Sequence, residues 1–113
     1  MKTIKSKVEI SNLFSYGKRI RSPYVTFLVL QNSQHGQLGR VAFIAGKKNG
    51  NAVWRNRAKR RMRAVCRELN FSFAGFDVVF LARSGICDVA YSKLLQTSKH
   101  ALEKKFNSSE NAE

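Results

Sequence analysis

The chain of 113 residues has little proline, little cysteine and few acids: one Pro, two Cys and seven Asp or Glu. Cys66 and Cys87 have no pair of histidines near them, so they cannot complete a tetrahedral zinc site. Long apolar runs are also missing, which argues against a membrane-spanning helix and against a secretory signal peptide. We therefore expect a cytoplasmic protein without membrane contact, in which both thiols stay reduced.

The scarcity of acids leaves a large excess of positive charge. Lys and Arg number 21, the formal net charge is +14, and no acid lies between Glu9 and Glu68. Self-repulsion of this size is tolerated when a polyanionic partner neutralises it. With 43% apolar residues the chain is a folded protein rather than a disordered basic arm. Its length fits a single domain over residues 1–113, with a frayed polar tail at 107–113.

The most informative segment is residues 47–63, which read KKNGNAVWRNRAKRRMR and contain eight basic residues and no acid. Asn51 is a good N-cap, and the periodicity predicts a helix from there to about Leu69. An apolar stripe continues through this helix at spacings of three and four, which is typical of one buried helical face. Its members are Trp54, Ala58, Met62, Val65 and Leu69.

Opposite that stripe, a helical wheel gathers Asn56, Lys59, Arg60, Arg63 and Arg67. Arginine binds phosphates with a planar fork and stacks on bases, so an arginine-rich face favours RNA as the polyanion. The competing interpretation is a solvated face, but ordinary surfaces intersperse charges of both signs. Arg55 lies nearer the apolar side, where it could brace the helix against a sheet instead.

The remaining segments predict a sheet with helices packed on it, in the order α-β-β-α-β-α. A short helix covers residues 7–16 and ends at Gly17, and a basic turn at 18–21 follows. Strands are predicted at 24–30, 38–45 and 76–82, the last of them central because it is almost wholly apolar. A loop at 32–37 is expected to join the first two strands as an antiparallel pair. A final helix spans about 89–106.

No catalytic constellation is visible in the sequence. The acids are scattered along the chain, whereas a nuclease that uses two metal ions needs convergent carboxylates. Aromatic residues beside basic loops can stack unpaired bases, and Phe14, Tyr24 and Phe27 are the candidates, although such residues more often belong to a core. The isolated polypeptide is therefore predicted to bind RNA and to lack catalytic activity.

The segment 47–63, with its Arg55-Asn56-Arg57 triplet, closely resembles the signature of the bacterial ribonuclease P protein subunit. The resemblance extends over almost the whole chain. It includes the first helix with Phe14 and Gly17, the Arg21-Ser-Pro sequence before the first strand, and the Asp77-Val-Val-Phe-Leu-Ala-Arg83 strand.

This resemblance implies an α+β fold, an αβββαβα sandwich similar to the ribosomal S5 domain, with a left-handed β-α-β crossover around the signature helix. In that family a large catalytic RNA uses Mg²⁺ ions, bound mainly by the RNA, to hydrolyse precursor tRNA and release its 5′ leader. The protein binds the catalytic RNA and contacts the leader of the precursor tRNA. By analogy no catalytic residue and no metal ligand is expected in the protein itself.

Carried over to this sequence, the resemblance implies two surfaces. The leader-binding cleft would contain Phe14, Tyr24 and Phe27, with Ile10 standing where an aromatic residue is common. Two alternatives stay open: a ribosomal or RNA-assembly protein with no role in cleavage, and a nuclease that acts unaided. The surface for the catalytic RNA would consist of Lys47, Lys48, Asn51, Arg55, Asn56, Arg57, Lys59, Arg60, Arg63 and Arg67.

Overall fold

The computed structural model of the chain describes residues 2–32 and 39–106. Within these residues lie five strands and three helices, and 3-10 turns at Lys47–Asn49 and Ser84–Cys87 lead towards the second and third helices. The elements are β1 (Lys2–Thr3), α1 (Lys7–Tyr16), β2 (Lys18–Arg21), β3 (Val25–Gln31), β4 (Arg40–Ile44), α2 (Ala52–Leu69), β5 (Phe76–Ala82) and α3 (Tyr91–Glu103).

The five strands form one mixed sheet in the order β1-β4-β5-β3-β2. β5 occupies the centre, antiparallel to β3 and parallel to β4. Its central position, predicted from its apolar sequence, is confirmed, because five of its seven residues are buried. Strands that are covered on both faces read as continuous apolar runs, as this one does.

The predicted antiparallel pairing of the first two main strands is wrong. β3 and β4 do run in opposite directions, but β5 lies between them and pairs with both. A strand apolar on both faces gains most from the central position, and that gain outweighs local pairing of consecutive strands. The connecting loop expected at 32–37 lies almost wholly outside the described residues.

A second correction concerns residues 18–21, predicted as a basic turn. They form the edge strand β2, which pairs antiparallel with β3 through all four residues. Of these, Ile20 packs against the core, while Lys18, Arg19 and Arg21 are exposed. An edge strand with one apolar residue is stabilised by backbone pairing with its neighbour, so its sequence carries little hydrophobic signal.

α2 and α3 cover one face of the sheet. Their buried side chains, such as Met62 and Leu94, pack with Phe27 and Phe80 in the main core. The rings of Phe27 and Phe80 meet edge to face with centroids 4.9 Å apart. The central part of this face is therefore covered by two helices.

α1 covers the other face, and it covers only part of it. Leu13 is fully buried there in a second cluster with Leu28 and Val79. The helix ends where predicted, at Gly17, whose N–H donates to the Leu13 carbonyl over 2.9 Å. A Cβ at Gly17 would lie 2.5 Å from that carbonyl oxygen, so close packing rather than a left-handed conformation requires glycine here.

From α1 onwards the element order is αβββαβα, which confirms the expected sandwich, with β1 as an additional two-residue strand. α2 connects the adjacent parallel strands β4 and β5, and this is the predicted β-α-β crossover; its left-handedness stays a prediction. α2 has nearly the expected bounds, whereas α3 is shorter than the predicted 89–106. The frayed tail predicted at 107–113 lies outside the described residues.

Candidate RNA-binding surfaces

α2 is held rigidly with one side inwards. The Asn51 side-chain oxygen accepts the Trp54 N–H over 2.9 Å, which confirms the predicted N-cap. Ala58 and Met62 are fully buried and Val65 almost so. Because the inward side is fixed by packing, the direction of the opposite side is fixed too.

That opposite side carries exposed cationic groups, which we call the α2 basic face. The acids that the structure describes form no ion pair with its four arginines. Arg63 also lies over the ring of Phe43 in β4, with the guanidinium carbon 5.7 Å from the centroid. The face therefore offers uncompensated positive charge to a polyanion. Its members, all exposed, are Asn56, Arg57, Arg60, Arg63 and Arg67.

The other residues predicted for this surface lie around it. Lys47 and Lys48 are exposed in the 3-10 turn before α2, and Lys59 is half-buried on the flank of the helix. Arg55 is half-buried as well, and the contact found for it is a long hydrogen bond of 3.4 Å to the Gly50 carbonyl. Arg55 therefore contacts the turn before α2 and does not brace the helix against the sheet as expected.

Arg61, which the sequence did not single out, has the bracing role. Its Nη1 donates to the carbonyls of Ile86 and Val89, the latter over 2.7 Å. These carbonyls belong to the segment between β5 and α3, so Arg61 ties α2 to the neighbouring elements. The guanidinium of Arg61 is thus used internally, and its wheel position beside the apolar stripe is consistent with this role.

A second surface lies on the sheet face that α1 only partly covers. Ile10 packs against this face, and Phe14 follows one turn later with 38% of its surface exposed. The floor beside them consists of half-buried apolar side chains from three strands. We call this region the α1 cleft; its floor residues are Leu30, Ile44 and Leu81.

Two of the three residues predicted for a leader-binding cleft lie elsewhere. Phe27 has no exposed surface and packs in the main core, on the sheet face opposite α1, so the expectation for it is wrong. Tyr24 is half-buried against the same core, and its ring lies beside Gly85. Alternation along β3 separates Phe27 from Leu28 and Leu30, and this period-two pattern is the signal that would have identified the correct face.

A buried ionic cluster anchors α1 above the sheet. Arg40 in β4 donates to both oxygens of Asp77 in β5, over 3.0 and 2.8 Å. It also donates to both oxygens of Glu9 in α1, over 3.1 and 2.7 Å. Hydrogen bonding to Asp77 first, then to Glu9, raises the pKa of the Arg40 guanidinium further above its ordinary value. Two acids judged scattered in sequence therefore meet at one arginine.

The metal-binding potential of the described residues is low. Within 2–32 and 39–106, no three His, Cys, Asp or Glu side chains gather where they could hold a metal ion. Burial raises the pKa of the Cys66 thiol to about 11, and burial also raises the pKa of Cys87. Both thiols are therefore protonated at neutral pH and are poor nucleophiles. In the same part of the chain, no helix is both long and apolar enough to cross a bilayer.

Comparisons with known proteins identify the family of the chain. The family model described as Ribonuclease P matches residues 1–105. The ribonuclease P protein component of Natranaerobius thermophilus is 38% identical over 92 residues, which are 80% of this chain and 78% of that protein. The corresponding protein of Symbiobacterium thermophilum is 33% identical over 102 residues, 89% of this chain and 88% of its own length.

Solved structures support the fold. The RNase P protein of Staphylococcus aureus superposes with a TM-score of 0.77 at 22% identity, covering 95% of this chain and 99% of that one. The RNase P protein of Thermotoga maritima gives a TM-score of 0.78 at 21% identity, covering 92% and 97%. At these identities the likeness concerns the fold alone.

Proposed function

Because the chain belongs to the ribonuclease P protein family, we propose that it is the protein subunit of a ribonucleoprotein that removes the 5′ leader from precursor tRNA in the cytoplasm. In this proposal the RNA subunit carries out the cleavage, and the protein binds both that RNA and the substrate. Family membership removes the support for a ribosomal or assembly role, which had rested on composition alone.

The observation that carries the proposal is the α2 basic face. Four exposed arginines on one side of a packed helix, without acids to neutralise them, form a rigid site for phosphates. Because their positions are set before binding, little conformational entropy of the backbone is lost when RNA docks. Lys47 and Lys48, at the start of the same helix, extend the surface.

The α1 cleft is the proposed site of the leader. A single strand needs apolar or aromatic surface for its bases and nearby cations for its phosphates. Ile10 and Phe14 supply apolar and aromatic surface for the bases, together with the floor of Leu30, Ile44 and Leu81. We assign the leader to these residues in place of Tyr24 and Phe27.

Mg²⁺ enters the proposal as an ion held by the RNA, because the described part of the protein offers no cluster of carboxylates to hold it. When bound, the ion supplies the Lewis-acid chemistry of hydrolysis. The protein's own contribution is binding energy and orientation. Its cations hold the RNA phosphates, and the α1 cleft keeps the leader extended.

The test is reconstitution of precursor tRNA cleavage at low Mg²⁺ with the catalytic RNA, with and without the protein. Wild-type protein is expected to stimulate cleavage by the RNA and to cleave nothing alone. Arg60→Ala with Arg63→Ala should weaken binding to the catalytic RNA about tenfold at 0.15 M salt and lower the log–log salt slope by roughly 1.4, about 0.7 for each lost contact.

The matched control is Lys5→Ala with Lys105→Ala, which removes the same charge from exposed positions outside α2. It should leave most of the affinity and stimulation intact. If both double variants lose the same affinity for the catalytic RNA, the α2 basic face contributes through the overall charge of the protein and is not a specific binding site. Cleavage by the protein alone, or an absence of stimulation, would refute the proposal itself.

A further inference from the structure

A groove of about 640 Å³ lies on the side of α3 that faces away from α2. One wall is the end of β2 and the turn after it, Arg21–Pro23, and the other is the flank of α3. α2 meets α3 on a different side, where the Tyr91 hydroxyl donates to Glu68 over 3.1 Å. The groove is therefore separate from the α2 basic face. It is also separate from the α1 cleft, because α3 and α1 pack on opposite faces of the sheet.

The α3 wall of the groove carries a ladder of polar groups. Lys93, Thr97, His100 and Lys104 follow one another at spacings of four, three and four, so they form one stripe along the helix. The stripe extends for about 16 Å, at about 1.5 Å per residue. The Thr97 hydroxyl donates within the helix to the Lys93 carbonyl over 2.9 Å, so the groups of the stripe that offer donors to a ligand are Lys93, His100 and Lys104. Donors spread over this length match an extended phosphate backbone rather than a compact ligand.

The charge of the groove is mostly uncompensated. Lys93 and Lys104 are exposed on one wall and Arg21 on the other, and the acids described in the structure form no ion pair with them. Lys99 adds a further cation, and Glu103 is the acid among the lining residues. The groove thus complements a polyanion and lacks exposed aromatic residues for reading bases, so phosphates are the expected contact.

β2 joins this groove to the α1 cleft. In the register of β2 with β3, Arg19 pairs with Leu28 and Arg21 pairs with Thr26. Cross-strand partners lie on the same face of a sheet, and Leu28 belongs to the cluster beneath α1. Arg19 and Arg21 therefore start on the α1 face, and Arg21 also lines the groove. A path of cations leads around this edge of the sheet.

We propose that the groove between α3 and the Arg21–Pro23 turn binds the distal part of the 5′ leader, after the proximal part has passed through the α1 cleft. This inference rests on the proposed function. The leader strand turns around the edge at β2, and its phosphates contact Arg21, Lys93 and Lys104. Because the contacts are to phosphates, the groove extends the affinity for long leaders without selecting their sequence.

The experiment measures the affinity of the reconstituted holoenzyme for precursor tRNAs whose leaders are graded from about 4 to about 16 nucleotides, the size range of single-strand sites on small binding domains. Lys93→Ala with Lys104→Ala should leave the affinity for the shortest leader unchanged. For the longest leader it should lower the affinity about tenfold at 0.15 M salt, with the salt slope reduced by roughly 1.4.

The control is again Lys5→Ala with Lys105→Ala, which should show no dependence on leader length. An equal loss at every leader length, together with weaker binding of the catalytic RNA, would assign the groove to that RNA and overturn the inference. If the variant binds leaders of every length as tightly as wild type does, the inference is overturned as well. If wild-type protein does not stimulate cleavage, and if the holoenzyme binds precursor tRNA no more tightly than tRNA without a leader, the proposed function has failed instead.

Discussion

At the scale of single residues, the most consequential interactions are those of Arg40. Its guanidinium is almost buried and joins two strands to α1 through Asp77 and Glu9. Removing Asp77 leaves the buried Arg40 guanidinium with a partly exposed partner, Glu9, which is far more destabilising than the loss of an exposed pair. The two carboxylates differ in this respect, since the Asp77 side chain is 4% exposed and the Glu9 side chain 33%.

Asp77→Asn is therefore expected to lower the free energy of unfolding by about 3 to 5 kcal/mol, and Glu9→Gln by about 1 kcal/mol or less. Urea denaturation measures both. Glu103→Gln, an exposed carboxylate on α3, is the control and should change stability little. Glu9→Gln should also speed hydrogen exchange in α1 while the central strands stay protected, because only the helix loses an anchor. A loss below about 1 kcal/mol in Asp77→Asn would contradict this account.

At the scale of elements, α2 combines a structural task with a binding task, and Asn51 allows the two to be separated. Its side chain caps the helix, while the first turn contains no acid. Asn51→Ala should reduce stability by about 1 kcal/mol, because a backbone N–H loses its acceptor. Asn51→Asp keeps the acceptor and adds a charge that the helix dipole favours, so stability should be maintained or raised.

Asn51→Asp should weaken RNA binding even though it maintains or raises stability. Asn51 follows the turn that carries Lys47 and Lys48. A carboxylate introduced there by Asn51→Asp repels phosphates, so affinity for the catalytic RNA should fall although the protein is no less stable. Asn51→Ser serves as a neutral capping control with both properties close to wild type. Thermal unfolding and filter binding provide the two measurements. Parallel changes of stability and affinity across the three variants would show that this end of α2 only supports the fold.

The elements differ in how well the sequence predicted them. α2 was found because its cap, its apolar stripe and its basic side all agree over eighteen residues. β2 was missed because three of its four residues are charged and its stability comes from pairing with β3. The position of β5 between β3 and β4 depends on competition among strands far apart in sequence, and no local pattern encodes that outcome. The basic face was therefore predictable, whereas the floor of the α1 cleft required the strand register.

At the scale of the whole molecule, charge dominates. The formal net charge of the chain is +14, and the described residues form a body of 36 × 32 × 20 Å that holds most of the cations, so these repel one another at low ionic strength. The Debye length falls from about 30 Å at 0.01 M salt to about 10 Å at 0.1 M, after which only neighbouring charges interact. Salt should thus relieve the repulsion that destabilises the free protein, and it should weaken the attraction that binds RNA.

We expect opposite responses when NaCl is raised from about 0.01 M to about 0.3 M: Tm of the free protein increases while RNA affinity decreases. If screening restores about 1 kcal/mol, Tm rises by about 4 to 8 °C. Arg60→Ala with Arg63→Ala should raise Tm at low salt and shrink its salt dependence, because two clustered charges are gone. Lys5→Ala with Lys105→Ala should do so less, because those charges are dispersed. A wild-type Tm that falls with salt would mean that attractive pairs, not repulsion among the cations, govern the stability of this protein.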